Sequence, residues 1–240
     1  MGYTRAEIIS GVRKELDEIQ LNSSGFATGT DNGDLDELII HMLSEAVEFC
    51  YGHADLSMLS PTTVKTTSNV TFLGIENYSS GPFIDNTNAY LKNYPGNTAY
   101  VGKVALGSSF IRLHGVSCAS WEKDVTEPVY WNDESAAKLR NWYTTGTPER
   151  PVVYITKDQS GYTAYLFIVN NSETITVATI DKPSMAPDQQ GGYNIDSKLI
   201  GAVLTYTAGL VLTAMKDAHA ESLFNKALIQ MGAQKSESNG

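Results

Sequence analysis

The stretch 199–215, LIGAVLTYTAGLVLTAM, contains no charged residue, and it limits the possible folds more than any other part of the chain. A membrane-spanning helix needs about 20 mostly apolar residues, with a lower bound near ~17. The run sits at that bound, carries Thr205, Tyr206, Thr207 and Thr213, and is followed at once by Lys216, Asp217, His219 and Glu221. The sequence therefore predicts no membrane span. Helical spacing continues through Leu212, Met215, Leu223, Ala227 and Met231, which predicts one long helix running on to residue 232. A helix apolar on nearly all sides must be buried on nearly all sides. With about 33 residues it would be ~50 Å long, more than two shorter amphipathic helices of one subunit would cover. Part of it is expected to pack on a neighbouring copy; the alternative is a core helix in a larger monomer.

Two amphipathic helices at the start of the chain are natural partners for this run. TRAE places Thr4 as N-cap with Glu7 three residues on, a capping box. Ile8, Ile9, Val12, Leu16 and Ile19 then share one face. DLDE repeats the device with Asp34 as cap and Glu37 answering it, followed by Leu35, Leu38, Ile39, Met42, Leu43, Ala46, Phe49 and Cys50. NSSGFATGTDNG reads as the loop between them. The N-terminus MGYTRAEIIS has no apolar signal core, and Ala6 stands where a myristoylation motif needs Ser or Thr, so neither secretion nor acylation is expected.

From Pro61 onward Thr, Tyr, Val, Asn and Gly dominate, and short β-type runs alternate with turn clusters. NVTFLGI, AYVGKVAL, SFIRLHGVS, PVVYIT, YTAYLFIV and TITVATI are the clearest strands. KDQSG and NNSE join the last three, which predicts a three-stranded antiparallel meander over 152–180. A short helix is expected at DESAAKLRNWY, capped by Asp133, then a linker PSMAPDQQGGYN, with Ser197 or Asp196 capping the long helix. The predicted fold is α+β: a helical bundle from the N- and C-terminal helices with an inserted antiparallel β domain. The predicted parts are 1–60 helical, 61–190 β-rich, 191–232 the long helix packing on 1–60, and 233–240 a flexible tail.

Motifs for chemistry are sparse. CYGH and HGVSC put Cys50 near His53 and His114 near Cys118, spacings also found in structural zinc sites. Two lone pairs are weak support for a metal, and both cysteines read as small core residues, so no metal and no cofactor are expected. Cys118 as a nucleophile with His114 as base lacks an orienting partner and an oxyanion loop. Asp34 and Asp36 read as a solvated first helical turn, favoured by the helix dipole. No phosphate loop, nucleophile elbow or HExxH is present. The sequence names no catalytic residue, and no enzyme is expected.

The apolar run carries a different signal. Gly201, Thr205, Gly209 and Thr213 recur every four residues and form a narrow ridge of small side chains, which lets another helix approach closely. Farther on, Leu223, Phe224, Ala227, Leu228 and Met231 form an apolar stripe before the polar end GAQKSESNG, the pattern of a helix-in-groove contact. The alternative for this stripe is that it completes the subunit's own helices.

The layout, carried by DELIIHMLSEAVEFCYGHADLSML, TPERPVVYITKDQSGYTAYLFI and LIGAVLTYTAGLVLTAMKDAHAESLFNKALIQM, resembles the head–tail connector, or portal adaptor ring, proteins of tailed bacteriophages. The likeness is one of order and texture, without an invariant motif. It implies a structural virion protein of the tail or neck, assembled in the host cytoplasm. The subunits would form a ring, usually a dodecamer, docked on the portal protein through the C-terminal stripe and touching other tail or collar proteins. It also implies DNA passing through the lumen without specific binding. The formal charge of −10 suits that role, because a negative lumen repels phosphate, and it argues against a nucleic-acid grip. A long β block departs from the family. One rival reading is a β-sandwich binding module of a virion or cell surface, which leaves the helices unexplained; another is a small hydrolase, for which no site is seen.

Overall fold

A computed structural model of the protein describes residues 2–20, 32–73, 100–133, 146–170, 173–185 and 192–233. In chain order the first elements are β1 (Tyr3–Thr4), α1 (Arg5–Gln20), α2 (Asn32–His53), β2 (Thr63–Thr66), β3 (Thr71–Leu73), β4 (Tyr100–Gly107) and β5 (Phe110–Cys118). They are followed by β6 (Val129–Tyr130), β7 (Val153–Asp158), β8 (Gly161–Val169), β9 (Ile175–Asp181), β10 (Gly192–Tyr193), α3 (Ile200–Ala214) and α4 (Ala220–Gln230). The protein is α+β. It divides into two compact units, one of residues 1–60 with 182–240 and one of residues 61–181.

In the first unit the capping box forms at α1. Glu7 N–H donates to the Thr4 hydroxyl at 3.2 Å, and Thr4 N–H donates to the Glu7 carboxylate at 2.8 Å. These bonds hold the Glu7 carboxyl below its ordinary pKa. Ile8, Val12 and Leu16 are buried, as their spacing requires. The second box does not form as expected. α2 begins at Asn32, ahead of Asp34, and Glu37 reaches across to Arg5 at 2.6 Å instead. Arg13 pairs in the same way with Asp36 at 2.7 Å, so two carboxylates near the start of α2 are held by two cations from α1. Ile39, Leu43, Ala46, Val47 and Cys50 are fully buried.

The long C-terminal helix is broken. α3 ends at Ala214, and Lys216 takes a left-handed conformation with φ 58°. Lys216 N–H then donates to the Thr213 carbonyl at 3.0 Å and Asp217 N–H to the Leu212 carbonyl at 2.9 Å, the paired closure of a Schellman motif. The Asp217 carboxylate accepts from His219 N–H at 2.8 Å, which sets the turn into α4. α4 packs back along α3 as a hairpin. The cause is burial: Leu223, Ala227 and Met231 would stand exposed on a straight helix, and the hairpin covers them. At the front of α3, Leu199 stands at the N-cap without a side-chain bond, so neither residue that the sequence offers caps the helix; Asp196 instead closes the turn before it. Its carbonyl accepts from Leu199 and Ile200, and its carboxylate accepts from Lys198 N–H at 2.9 Å. The buried Tyr51 hydroxyl accepts from Asp196 N–H at 2.8 Å and ties this turn to α2.

The second unit holds two sheets, of strand order β2-β9-β5 and β3-β4-β8-β7-β6. They share one core, which includes Val104 and Leu106 of β4, Leu113 and Val116 of β5, Val153 and Ile155 of β7, Leu166 of β8, and Ile175 and Val177 of β9. The predicted meander is half right. β7 and β8 form a hairpin, but β9 does not pair with β8. Both edges of β8 are already taken, by β7 and by β4. The chain therefore crosses to the other sheet, where β9 lies between β2 and β5. Glu173 anchors this crossing by accepting from Ser120 N–H at 2.7 Å. Two threonines extend the β2–β9 ladder beyond its ends. Thr62 accepts from Asp181 N–H and donates to the Thr179 carbonyl, while Thr67 accepts from Ile175 N–H and donates to the Glu173 carbonyl. The helix expected over 133–143 lies outside the described residues beyond Asp133, and so do the loop over 21–31 and the tail from 234.

Candidate interaction surface

The four ridge positions of α3 do not share one environment. Thr205 and Gly209 are buried, whereas Gly201 and Thr213 are exposed. At Gly209 the close approach foreseen for a neighbouring subunit is made within the chain. A Cβ there would lie 2.6 Å from the Phe224 ring of α4. At Gly201 a Cβ would meet nothing within 4 Å. The Thr213 hydroxyl donates to the Gly209 carbonyl at 2.9 Å, a back-bond within the helix. Gly209→Leu is expected to push the Phe224 ring off α3 and cost about 1–3 kcal/mol, seen as a lower urea midpoint. Gly201→Leu, with open space, is expected to leave that midpoint unchanged or slightly raised. Equal losses from both variants would contradict this assignment of the ridge.

The docking stripe needs correction. Leu223, Ala227 and Met231 are 3%, 0% and 0% exposed, so in the folded hairpin these three face the chain's own helices. Phe224 and Leu228 are half-buried. Lys226 pairs with Glu15 of α1 at 2.7 Å, and the Met231 carbonyl accepts from Asp55 N–H at 2.9 Å, which fastens α4 along its length and at its C-terminal end. The exposed apolar side chain of this helix is Ile229, outside the expected stripe.

Four rings form a ladder that sequence spacing did not bring together. His53 stacks on Phe49 at 4.1 Å, Phe49 stacks on Tyr206 at 4.2 Å, and Tyr206 meets Phe224 at 4.8 Å in a tilted pair. The ladder joins α2, α3 and α4, and Gly209 gives the last ring its seat. The Phe49 and His53 spacing of four on one helix was the available signal. Beside the ladder, Ser44, Glu45, Glu48 and Lys182 border an open groove, with Lys182 bound to Glu48 at 2.7 Å.

Cys50 and His53 belong to the helical unit, and His114 and Cys118 to the β unit. On β5 the register shifts between Leu113 and Gly115, so His114 is an extra residue outside the regular alternation that places Cys118. No group of three or more His, Cys, Asp or Glu side chains suited to a metal occurs among the described residues. Burial pushes the Cys50 thiol up to about 12, and it pushes the Cys118 thiol up as well, with Glu173 and Asp124 adding to the effect. Both thiols are expected to stay unlabelled by Ellman's reagent in the folded protein at pH 8 and to react in denaturant. The sign for stability follows: the folded state holds the Cys50 proton and the unfolded state releases it. This contribution is complete below about pH 9 and is lost as pH rises toward 12. Rapid native labelling would show that a thiol is reachable.

No helix among the described residues is long and apolar enough to cross a membrane. No protein-family model matches the chain, and no curated protein matches it.

Proposed function

We propose that the chain is a structural virion subunit that assembles as a ring between portal and tail, with DNA passing through the lumen. The observation that carries this reading is the division of the chain: residues 1–60 and 182–240 form one unit, and the residues between them form another. It fits the layout that the resemblance to connector subunits implies, helices from both ends of the chain with an inserted β domain, here antiparallel except for the parallel β6–β7 pair. The formal charge of −10 suits a lumen that does not hold DNA. The exposed ridge positions Gly201 and Thr213 remain open to a neighbouring copy, while portal contact is assigned to no particular residue. The reading assigns the protein no catalysis, no cofactor and a place in the virion tail or neck. Native mass spectrometry of the purified chain, alone and with portal, is the test. A closed ring, of twelve copies in the family pattern, supports the proposal; a monomer that stays a monomer with portal defeats it.

A second reading, a β-sandwich binding module at a virion or cell surface, draws on the single core shared by two sheets and on Trp131, 54% exposed just after β6. Glycan-array binding abolished by Trp131→Ala, without assembly, would favour it.

A further inference from the structure

We propose that α4 is exchanged between copies of this chain, the hairpin opening at Lys216 into one continuous helix whose second half docks on another copy. The inference rests on the self-association proposed above for its occupant, and it goes further by naming the segment that moves.

Lys216 is the one non-glycine residue at positive φ among the described residues. Such a conformation crowds Cβ against the following carbonyl. At the other end of α4 the same closure recurs, with Gly232 N–H bonded to Ile229 and Ala233 N–H to Leu228, and there glycine occupies the left-handed position at φ 68°. The chain thus has a glycine where the helix stops and none where it folds back. The turn residues MKDAH contain neither Gly nor Pro, and each can continue a helix. Straightening would relieve Lys216 and add helical hydrogen bonds through the turn.

What holds the hairpin shut is burial of Leu223, Ala227 and Met231. An isolated chain cannot open without exposing them. A second copy supplies the identical seat: Gly209 under Phe224, Glu15 for Lys226, and Asp55 N–H for the Met231 carbonyl. Exchange therefore restores every one of these contacts between molecules, and only the entropy of association opposes it.

The test uses full-length chains and the Glu15–Lys226 pair, whose charged groups meet at 2.7 Å. Glu15→Cys chains are mixed with Lys226→Cys chains, annealed at high concentration and treated with a flexible bis-maleimide whose spacer spans the length of the replaced Lys and Glu side chains; the native cysteines are buried. In closed hairpins the two new thiols never meet. Exchange brings them within reach of the spacer as a cross-linked heterodimer, in excess over both homodimers. The yield is expected to rise several-fold when Lys216→Ala and Asp217→Ala are added, and to fall several-fold with Lys216→Gly, which relaxes the closed turn. No heterodimer in any background, or equal yield with Lys216→Gly, overturns the proposal. Should the double alanine variant not fold, the parent and Lys216→Gly comparison decides alone. A ring that forms without the heterodimer would leave the ring reading standing and remove only the exchange.

Discussion

Ending the chain after Ala220 is expected to unfold the helical unit. The deletion removes Leu223, Ala227 and Met231, which are almost wholly buried. It also removes the Lys226 partner of Glu15 and the Met231 carbonyl that takes up Asp55 N–H. Burying a Leu or Met side chain contributes about 1.5–3 kcal/mol, and the alanine adds less. The sum, on the order of 5 kcal/mol, equals the whole stability of many domains. The truncated chain should lose helical circular dichroism well beyond the share of the missing residues, and it should bind an apolar dye. A truncated chain that melts like the parent would mean that α4 is peripheral to the unit. This expectation reverses the one that a straight helix would give, in which the end of the chain is a free docking arm and its loss leaves the fold intact.

Gly161→Ala is expected to destabilise the β unit by at least ~3 kcal/mol. Gly161 ends the turn between β7 and β8 at φ 124°, a region that side-chain-bearing residues rarely enter. A Cβ there would also sit 2.6 Å from the carbonyl carbon of Gly107 and 2.7 Å from the amide nitrogen of Ser108. Both are backbone atoms, so no rotamer change can clear the contact. Gly107→Ala is the matched control. Gly107 also has positive φ, 92°, but a Cβ on it would meet nothing within 4 Å. It should therefore cost only the conformational part, about 1–3 kcal/mol. Urea unfolding of both variants measures the difference. If Gly161→Ala costs no more than Gly107→Ala, the close approach of the two turns contributes nothing.

The capping box at Thr4 and Glu7 was legible because all of its partners lie within one helical turn. The strands β4, β5, β7, β8 and β9 were legible for a related reason. Each run is rich in β-branched and aromatic residues, and turn residues set its limits. The apolar run 199–215 was rightly read as a largely buried helix, since so apolar a composition must leave water along most of its length. The site residues were less legible. Thr205, Gly201, Gly209 and Thr213 shared a ridge by spacing alone, and spacing does not say which positions another part of the same chain will cover. The aromatic ladder was hidden because its rings come from three helices, and only the His53–Phe49 step is local.

The sequence by itself determined the start of α1, the positions of the main strands and which helical faces must leave water. Those properties follow from side-chain periodicity and from hydrogen bonds between near neighbours. Only the tertiary structure decided where the chain turns and which strand lies beside which. Residues 215–219 contain no Gly or Pro to mark a helix end, and the Asp217–His219 bond forms only once the chain folds back; the fold-back is selected because it buries Leu223, Ala227 and Met231. β9 crosses to the second sheet because β4 and β7 have filled both edges of β8, and strand order depends on which edges remain open. Local interactions are written in adjacent residues. Burial is a property of the assembled chain, and there it outweighed the helical continuity that the sequence displays.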